Sequence, residues 1–355
     1  MSTETIISID VMGGDLGPAP VIAGVARCAG KDPNLRFVLH GDEATITRLV
    51  SKRRKLRECV DVRHTDDVVA MDEKPSRALR RGKKTSLWQA LESVSSGEAS
   101  AAVSAGNTGA IVAMAMLVLR KAPGVDRPAI AVHWPADNEN GFNVVLDMGA
   151  DVRADAQNLV QYAVMGAEYS RLAFGVSDPR VGLLNVGTED TKGHSDQREA
   201  KELLGELATH PESGFSFNGF VEGTDIMGEE TDVIVTDGFT GNIAMKASEG
   251  TARFIRQTLK DAFTHSILSR FGALFAMGSL RRLRKRIDPR RVNGGVFLGL
   301  NGSVVKSHGS ADSLGHASAI HLAAKIASND LTGRVGRRLS GVAIQNMIAD
   351  NTPKT

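Results

Sequence analysis

Short runs of apolar, largely β-branched residues recur along the chain. Each is followed by a loop rich in Gly, Asp and Asn, then by a helical stretch. Thr5–Asp10 leads to Met12-Gly13-Gly14-Asp15, with Pro18 and Pro20 where a helix would open. Residues 100–103 lead to Ser104, Ala105, Gly106, Asn107, Thr108 and Gly109, then to an apolar helix. Residues 143–146 lead to a loop at 147–151 and a helix from about Ala154. Residues 181–184 lead to a loop at 185–189 and a helix after Ser195, and residues 232–235 to a loop at 236–242 and a long helix. The runs show little polar alternation, which predicts strands covered on both faces, as in a parallel sheet. Alternation of strand and helix predicts βαβ units. The expected fold class is α/β, a mostly parallel, doubly wound sheet flanked by helices in three layers.

Residues 259–291 break this pattern. Phe263, Ile267, Phe271, Leu274 and Phe275 fall at near-helical spacing, ahead of a basic cluster that begins Arg281-Arg282. A last sheet segment resumes at 294–300, followed by a loop at 306–312 and a helix to about Ser328. The expected organisation is one α/β/α catalytic body over 1–330, with 259–291 a protruding helical arm. Residues 331–355 are expected to form a basic amphipathic helix and tail.

In an open parallel sheet, the loops after the strand C-termini share one edge, where ligands bind. The polar clusters all fall in such loops, so they are expected to converge on one crevice. Glycine loops that open helices offer backbone N–H groups and the positive helix end to an anion. Gly13, Gly14, Gly106, Gly109, Gly187, Gly238 and Gly241 qualify, with Asn107, Thr108 and Asn185 beside them. Neither the P-loop nor the G-x-G-x-x-G spacing occurs in these loops, so a small anion is indicated rather than a nucleotide.

The loop at 306–312 places a cation, an imidazole, a hydroxyl and a carboxylate in seven positions. Lys306 would neutralise anionic charge, and His308 would move a proton or hydrogen-bond a nucleophile. Ser310 and Asp312 suit helix capping. Lys192 is either a surface charge or a ligand contact. Asn242, which with Asp237 flanks the glycines of its loop, either satisfies a helix start or donates to a carbonyl oxygen as charge develops there. Asp10 and Asp147 end strands, and either would orient a cation or bind a metal. No ligand spacing of His and Cys is present, so no metal is expected. No nucleophile elbow is visible and neither cysteine lies in a glycine loop, so a covalent enzyme intermediate is unsupported. A small anion such as phosphate, substantially dianionic near neutral pH, would itself act as the nucleophile once held and oriented.

Composition narrows the setting. The 355 residues are 42% hydrophobic and 24% charged, with net charge +2, so no global pull toward nucleic acid or membrane arises. Two cysteines, Cys28 and Cys59, fit a reducing cytoplasm. The longest apolar run, 110–119, is about half of what a bilayer crossing needs.

Six ordered motifs resemble the acyl-carrier-protein:phosphate acyltransferases, the PlsX family. They are IDVMGGD at 9–15, SAGNTGA at 104–110, LLNVGTE at 183–189, TDGFTGN at 236–242, GLNGS at 299–303 and KSHGSAD at 306–312. PSRALRR at 75–81 and FVEGTDI at 220–226 fit as well. The resemblance covers about 6–328. It implies a sheet like that of phosphotransacetylases and isopropylmalate-type dehydrogenases, a homodimer and no cofactor. It also implies that long-chain acyl-carrier protein and inorganic phosphate give acyl phosphate, the first step toward phosphatidic acid. Asp151 stands where the family pattern has Asn, and is left out of the expected ligand set. In this picture phosphate lies among the 106–109 and 185–187 loops with Lys306 and His308, while Asn242 or N–H groups near Gly238 polarise the thioester carbonyl. The arm, apolar then basic, suits a dimer contact with reversible docking on an anionic membrane at its tip. Its cluster, or Arg80, Arg81, Lys83 and Lys84, would alternatively bind the acidic carrier protein. A nucleic-acid partner is not expected, with aromatics at 5% and no binding motif beside the charge. The rivals are a short-chain phosphotransacetylase using acyl-coenzyme A, an NAD-dependent decarboxylating dehydrogenase, and a non-catalytic membrane scaffold.

Overall fold

A computed structural model describes residues 4–286 and 294–341. The first half contains β1 (Thr5–Asp10), α1 (Pro18–Ala29), β2 (Leu35–Gly41), α2 (Glu43–Ser51), β3 (Val60–His64), α3 (Pro75–Arg81) and α4 (Ser86–Ser95). There follow β4 (Ala101–Ser104), α5 (Thr108–Val118), β5 (Ala129–Pro135), β6 (Phe142–Leu146), α6 (Ala156–Phe174), β7 (Arg180–Leu184) and α7 (Ser195–Ala208). The remainder is β8 (Ser216–Val221), β9 (Val233–Val235), α8 (Gly238–Thr264), α9 (Ile267–Arg286), β10 (Gly295–Leu298), β11 (Ser303–Lys306), α10 (Ser313–Ser328) and α11 (Leu331–Leu339).

The strands form one sheet in the order β3-β2-β1-β4-β11-β10-β5-β6-β9-β7-β8. Both faces are buried, and the twofold alternation of strand side chains divides them between two apolar layers. Ala101, Val103, Val305, Val144, Leu146, Val233 and Val235 pack into one layer. Their neighbours Ala102, Val304, Val145 and Ile234 pack into the other. With no solvent face to supply polar residues, these strands read as continuous apolar runs.

Direction within the sheet departs from the expectation of a single ligand edge. The pairings β11–β10, β10–β5 and β5–β6 are antiparallel, while those on either side are parallel. Strand β5 is the joint: Ala129–Ala131 pair with β10, and Val132–Pro135 pair with β6. Consequently β1, β2, β4 and β11 run one way, and β6, β7, β8 and β9 the other. The glycine loops therefore fall into two sets, one for each half of the sheet. The hairpin of β10 and β11, which reads as one segment in the sequence, reverses β10 alone; β5 runs with β11 again, and the antiparallel β5–β6 pairing reverses the second half. Gly299, with φ of 85°, turns β10 into β11, a left-handed conformation that glycine adopts without a Cβ penalty.

Helix α11 starts where the C-terminal amphipathic helix was expected. Leu331, Val335 and Leu339 are buried at fourfold spacing, and the helix packs on α6. The remainder of that expected segment, residues 342–355, lies outside the described residues, as do residues 287–291 of the expected arm. Helix α8 is two-sided only at its start. Gly238 and Gly241 are buried and Ala244, Met245, Ser248 and Glu249 partly so, whereas Gly250–Ala262 are exposed throughout.

Candidate functional site

The first set of loops is built around Asp10, which is buried at the end of β1. Its Oδ1 accepts the N–H groups of Met12 (3.3 Å) and Gly13 (3.2 Å), and its Oδ2 accepts Ser104 Oγ (2.7 Å). Ser104 Oγ in turn accepts Gly106 N–H at 3.0 Å. Burial pushes the Asp10 carboxyl above the usual carboxylate range, and these hydrogen bonds pull it back. Asp10 thus ties the β1 turn to the β4 turn, a structural task that the sequence leaves indistinguishable from metal binding. Glycine is required where the two turns meet, since a Cβ on Gly13 would stand 2.8 Å from Gly106 N. Gly14, at φ 101°, lies against the Gly309 carbonyl.

Asn107 caps α5 by accepting Ala110 N–H, and its amide donates to the carbonyls of Met71 (2.7 Å) and Glu73 (3.0 Å). It therefore fastens the loop at 71–73 to this rim. Thr108 opens α5, and Gly109 sits close against Pro75.

Lys306 ends β11 opposite Ser104 in the parallel register. Its ammonium donates to the Ser307 carbonyl at 3.2 Å. Burial, and then the charge of nearby Lys246, pull its pKa down to about 8, while Asp15 and Glu249 act in the opposite sense. The His308 ring is about half exposed. Its Nδ1 accepts Ser310 N–H at 3.3 Å and lies 2.9 Å from Ser310 Oγ. An Nδ1 that accepts a backbone N–H assigns the ring proton of neutral His308 to Nε2, making that edge a donor. Nε2 lies 3.8 Å from Glu249 Oε1. Burial and Lys306 hold the His308 pKa below its ordinary value, so the neutral form prevails at pH 7. The capping expectation holds for Asp312, which accepts Leu314 and Gly315 N–H at the start of α10. Ser310 instead serves His308.

The second set is built around Asp147, fully buried at the end of β6. Its carboxylate accepts N–H groups from Ile130 (3.0 Å), Gly149 (3.2 Å), Ala150 (3.0 Å) and Asp151 (2.7 Å). Like Asp10, it organises a turn. Helix α8 stands on that turn: a Cβ on Gly238 would overlap the Asp151 carbonyl oxygen, and one on Gly241 the Asp147 carbonyl oxygen. Asp237 is the N-cap of α8, accepting Thr240 N–H (2.9 Å) and Thr240 Oγ1–H (2.7 Å). Asn242 is exposed beside Gly149. Asp151, the departure from the family pattern, pairs with Arg127. In the β7 loop, Asn185 donates to the carbonyls of Gly187 (3.1 Å) and Lys192 (3.2 Å). Lys192 itself is exposed, and Gly187 is packed against Glu189 and Lys192.

Asp10, Gly13, Gly14, Gly106, Lys306 and His308 are therefore one contact network. Asp237, Gly238, Gly241 and Asn242 meet Asp147, and Asn185, Gly187 and Lys192 make a third local cluster. Helix α8 links the first network to the second. Eleven residues separate Gly238, on the Asp147 turn, from Glu249, at His308, a rise of about 17 Å. Asn242, Lys246 and Glu249 recur at i, i+4 and i+7 and so share one helix face. Lys246 and Glu249 escape a reading that looks for chemistry only in loops; their spacing from Asn242 is the signal that points to them.

The chain matches the family described as "Fatty acid synthesis protein" over residues 5–334. It is 56% identical to a phosphate acyltransferase of Jannaschia sp. (strain CCS1), covering 95% of this chain and 92% of that relative. It is 57% identical to a phosphate acyltransferase of Paracoccus denitrificans (strain Pd 1222), covering 94% of this chain and 90% of that relative. In fold it is similar to a phosphotransacetylase from Streptococcus pyogenes, with TM-score 0.61, 18% identity and coverage of 92% and 94% of the two chains. It is similar also to the EutD phosphotransacetylase from Staphylococcus aureus, with TM-score 0.57, 17% identity and coverage of 91% and 94%. By the extent of the family match and the identity of these relatives, the chain belongs to the fatty acid synthesis protein family of phosphate acyltransferases.

Proposed function

We propose that this enzyme transfers a long-chain acyl group from the thioester of acyl-carrier protein to inorganic phosphate, giving acyl phosphate for phospholipid synthesis. The observation that carries this reading is the network of Lys306 and His308 with the Gly13–Gly14 and Gly106 turns. A partly buried cation and a neutral ring donor sit there among backbone turns suited to a tetrahedral anion. One phosphate oxygen attacks the thioester carbon, a C–O bond forms and the C–S bond breaks. The proton of hydrogen phosphate ends on the departing carrier thiolate, so the reaction balances without a cofactor. Lys306 neutralises phosphate, and the His308 Nε2–H donates to charge developing on oxygen. The exposed Asn242, on the same face of α8 and about 10 Å along the helix from Glu249, serves the carbonyl end of the same substrate. Incubation with palmitoyl-carrier protein and labelled phosphate tests the reading: labelled acyl phosphate is the expected product, and hydrolysis to free acid alone would refute it. Palmitoyl-coenzyme A in parallel identifies the donor.

His308→Ala should lower kcat about tenfold to a thousandfold, with the melting temperature within about 2 °C of wild type, because the ring is half exposed. Wild-type kcat in that variant would remove the imidazole from the mechanism.

We read residues 1–330 as one catalytic body bearing a helical arm that serves dimerisation and membrane contact. Supporting this, Phe254, Ile267, Leu268, Phe271, Leu274 and Phe275 are exposed in α8 and α9, Phe275 at 92%. Apolar exposure on that scale marks an interaction surface. Phe263 is partly buried, Arg282 is exposed, and Arg281 lies on the same helix α9. No helix among the described residues is long and apolar enough to cross a membrane. We read this face as docking at the surface of an anionic bilayer, with a second copy covering part of the arm. The double variant Phe271→Ser/Phe275→Ser should co-sediment with phosphatidylglycerol vesicles at least about tenfold less than wild type, with solution activity on carrier substrate retained. Equal vesicle binding by the two proteins would remove these residues from the membrane contact. For the carrier protein, Arg80, Lys83 and Lys84 are exposed and suited to an acidic partner, whereas Arg81 is committed to Asp67 and Glu73.

A further inference from the structure

Helix α8 brings two charged side chains to the Lys306 network that no loop motif contains. Lys246 Nζ lies 2.9 Å from Glu249 Oε2, and the other oxygen of that carboxylate lies 3.8 Å from His308 Nε2. The groups acting on His308 are therefore Lys306 from its own loop, Lys246 and Glu249 from α8, and Asp15 from the β1 loop. Lys306 has no carboxylate of the described residues within ion-pair distance, and Lys246 shares the one carboxylate nearest to both it and His308. Lys246 and Lys306 thus stand on two sides of the His308–Glu249 contact, with Asp15 as the second carboxylate, beside backbone turns that favour anions.

We propose that Lys246 is a second phosphate-binding cation, closing on the anion opposite Lys306, with Glu249 as the carboxylate that phosphate displaces from it. This rests on the phosphate acyltransferase reading and deepens it by assigning a ligand from outside the loops. The mutual repulsion of the two lysines fits the arrangement. Lys246 lowers the affinity of Lys306 for its proton, a cost that a bound dianion removes. Phosphate can take the place of Glu249 at Lys246, since both accept from an ammonium through oxygen, and in this arrangement its further oxygens would also reach Lys306.

The test is steady-state acyl transfer by Lys246→Gln and Lys246→Arg, with phosphate varied at saturating acyl thioester. Lys246→Gln should raise the phosphate KM about tenfold or more, the loss of one charge-assisted contact, and change the thioester KM by less than about twofold. Lys246→Arg should recover most of the phosphate affinity. As a binding readout independent of turnover, phosphate should raise the melting temperature of wild type and Lys246→Arg but not of Lys246→Gln. A phosphate KM for Lys246→Gln within about twofold of wild type, or an undiminished thermal shift, overturns the assignment. A wild-type enzyme whose thioester consumption does not depend on phosphate would instead defeat the acyltransferase reading, and the wild-type control alone reveals that case.

Discussion

Replacing Lys306 with methionine should lower kcat/KM for phosphate at least about a hundredfold while leaving the melting temperature at neutral pH unchanged or higher. The catalytic loss follows from removing a partly desolvated cation, whose interaction with a dianion is screened far less than at an exposed site. The stability effect has the opposite sign because burial works against the charge. The folded-state pKa of Lys306, about 8, lies below its ordinary value of 10.5. Between those two values the unfolded chain binds more protons than the folded one, so stability rises with pH across that window. Below about pH 8 the folded protein carries the full cost of the buried charge, and methionine removes it. The same shift predicts a pH dependence. Expressed against phosphate dianion, the wild-type phosphate KM should rise as pH passes upward through about 8, approaching tenfold by about pH 9 as Lys306 loses its proton. Lys306→Arg should show no such rise, since guanidinium keeps its proton there. Initial rates against phosphate at several pH values, together with thermal melts, provide both readouts. A flat wild-type profile, or a methionine variant with near-normal kcat/KM, would show that Lys306 is not the phosphate cation.

Gly241→Ala should destabilise the fold by about 3 kcal/mol and cut kcat at least about a hundredfold, although no catalytic side chain is altered. The added Cβ would overlap the Asp147 carbonyl oxygen. That carbonyl cannot yield cheaply, because the carboxylate of the same residue holds four backbone N–H groups around the turn. The first turn of α8 must lift instead, carrying Asn242, Lys246 and Glu249 away from Gly149 and His308. Gly250→Ala in the same helix is the control. A Cβ there meets nothing within 4 Å, so the better helix former should be neutral or stabilising by about 0.5–1 kcal/mol, with activity retained. Denaturant midpoints and kcat for the two variants decide the matter. Equal behaviour would mean that the seat of α8 on the Asp147 turn does not set the geometry at His308.

The strands, the helix openings and the chemical character of the loops were legible in the sequence for local reasons. Apolar β-branched runs such as Val233–Val235 admit few structures other than a strand buried on both faces, and Asp312 ahead of Ser313 is a helix start by its own chemistry. The near-helical apolar spacing from Phe263 to Phe275 likewise fell on real helices, α8 and α9. Tertiary structure decided the rest. Asp10 and Asp147 have the same local signature whether they hold a metal, a cation or a turn. Only the neighbouring strands, which supply Ser104 and the N–H of Ile130, made them turn-binding carboxylates. Strand direction is likewise non-local. The antiparallel pairing of β5 with β6 reverses half the sheet, and with it the side on which each loop emerges. Lys246 and Glu249 owe their place at His308 to the packing angle of α8, which is set where Gly238 and Gly241 admit close backbone contact. Periodicity along a chain encodes which face of an element is apolar, whereas the meeting of two distant loops depends on strand order and helix seating summed over the whole fold.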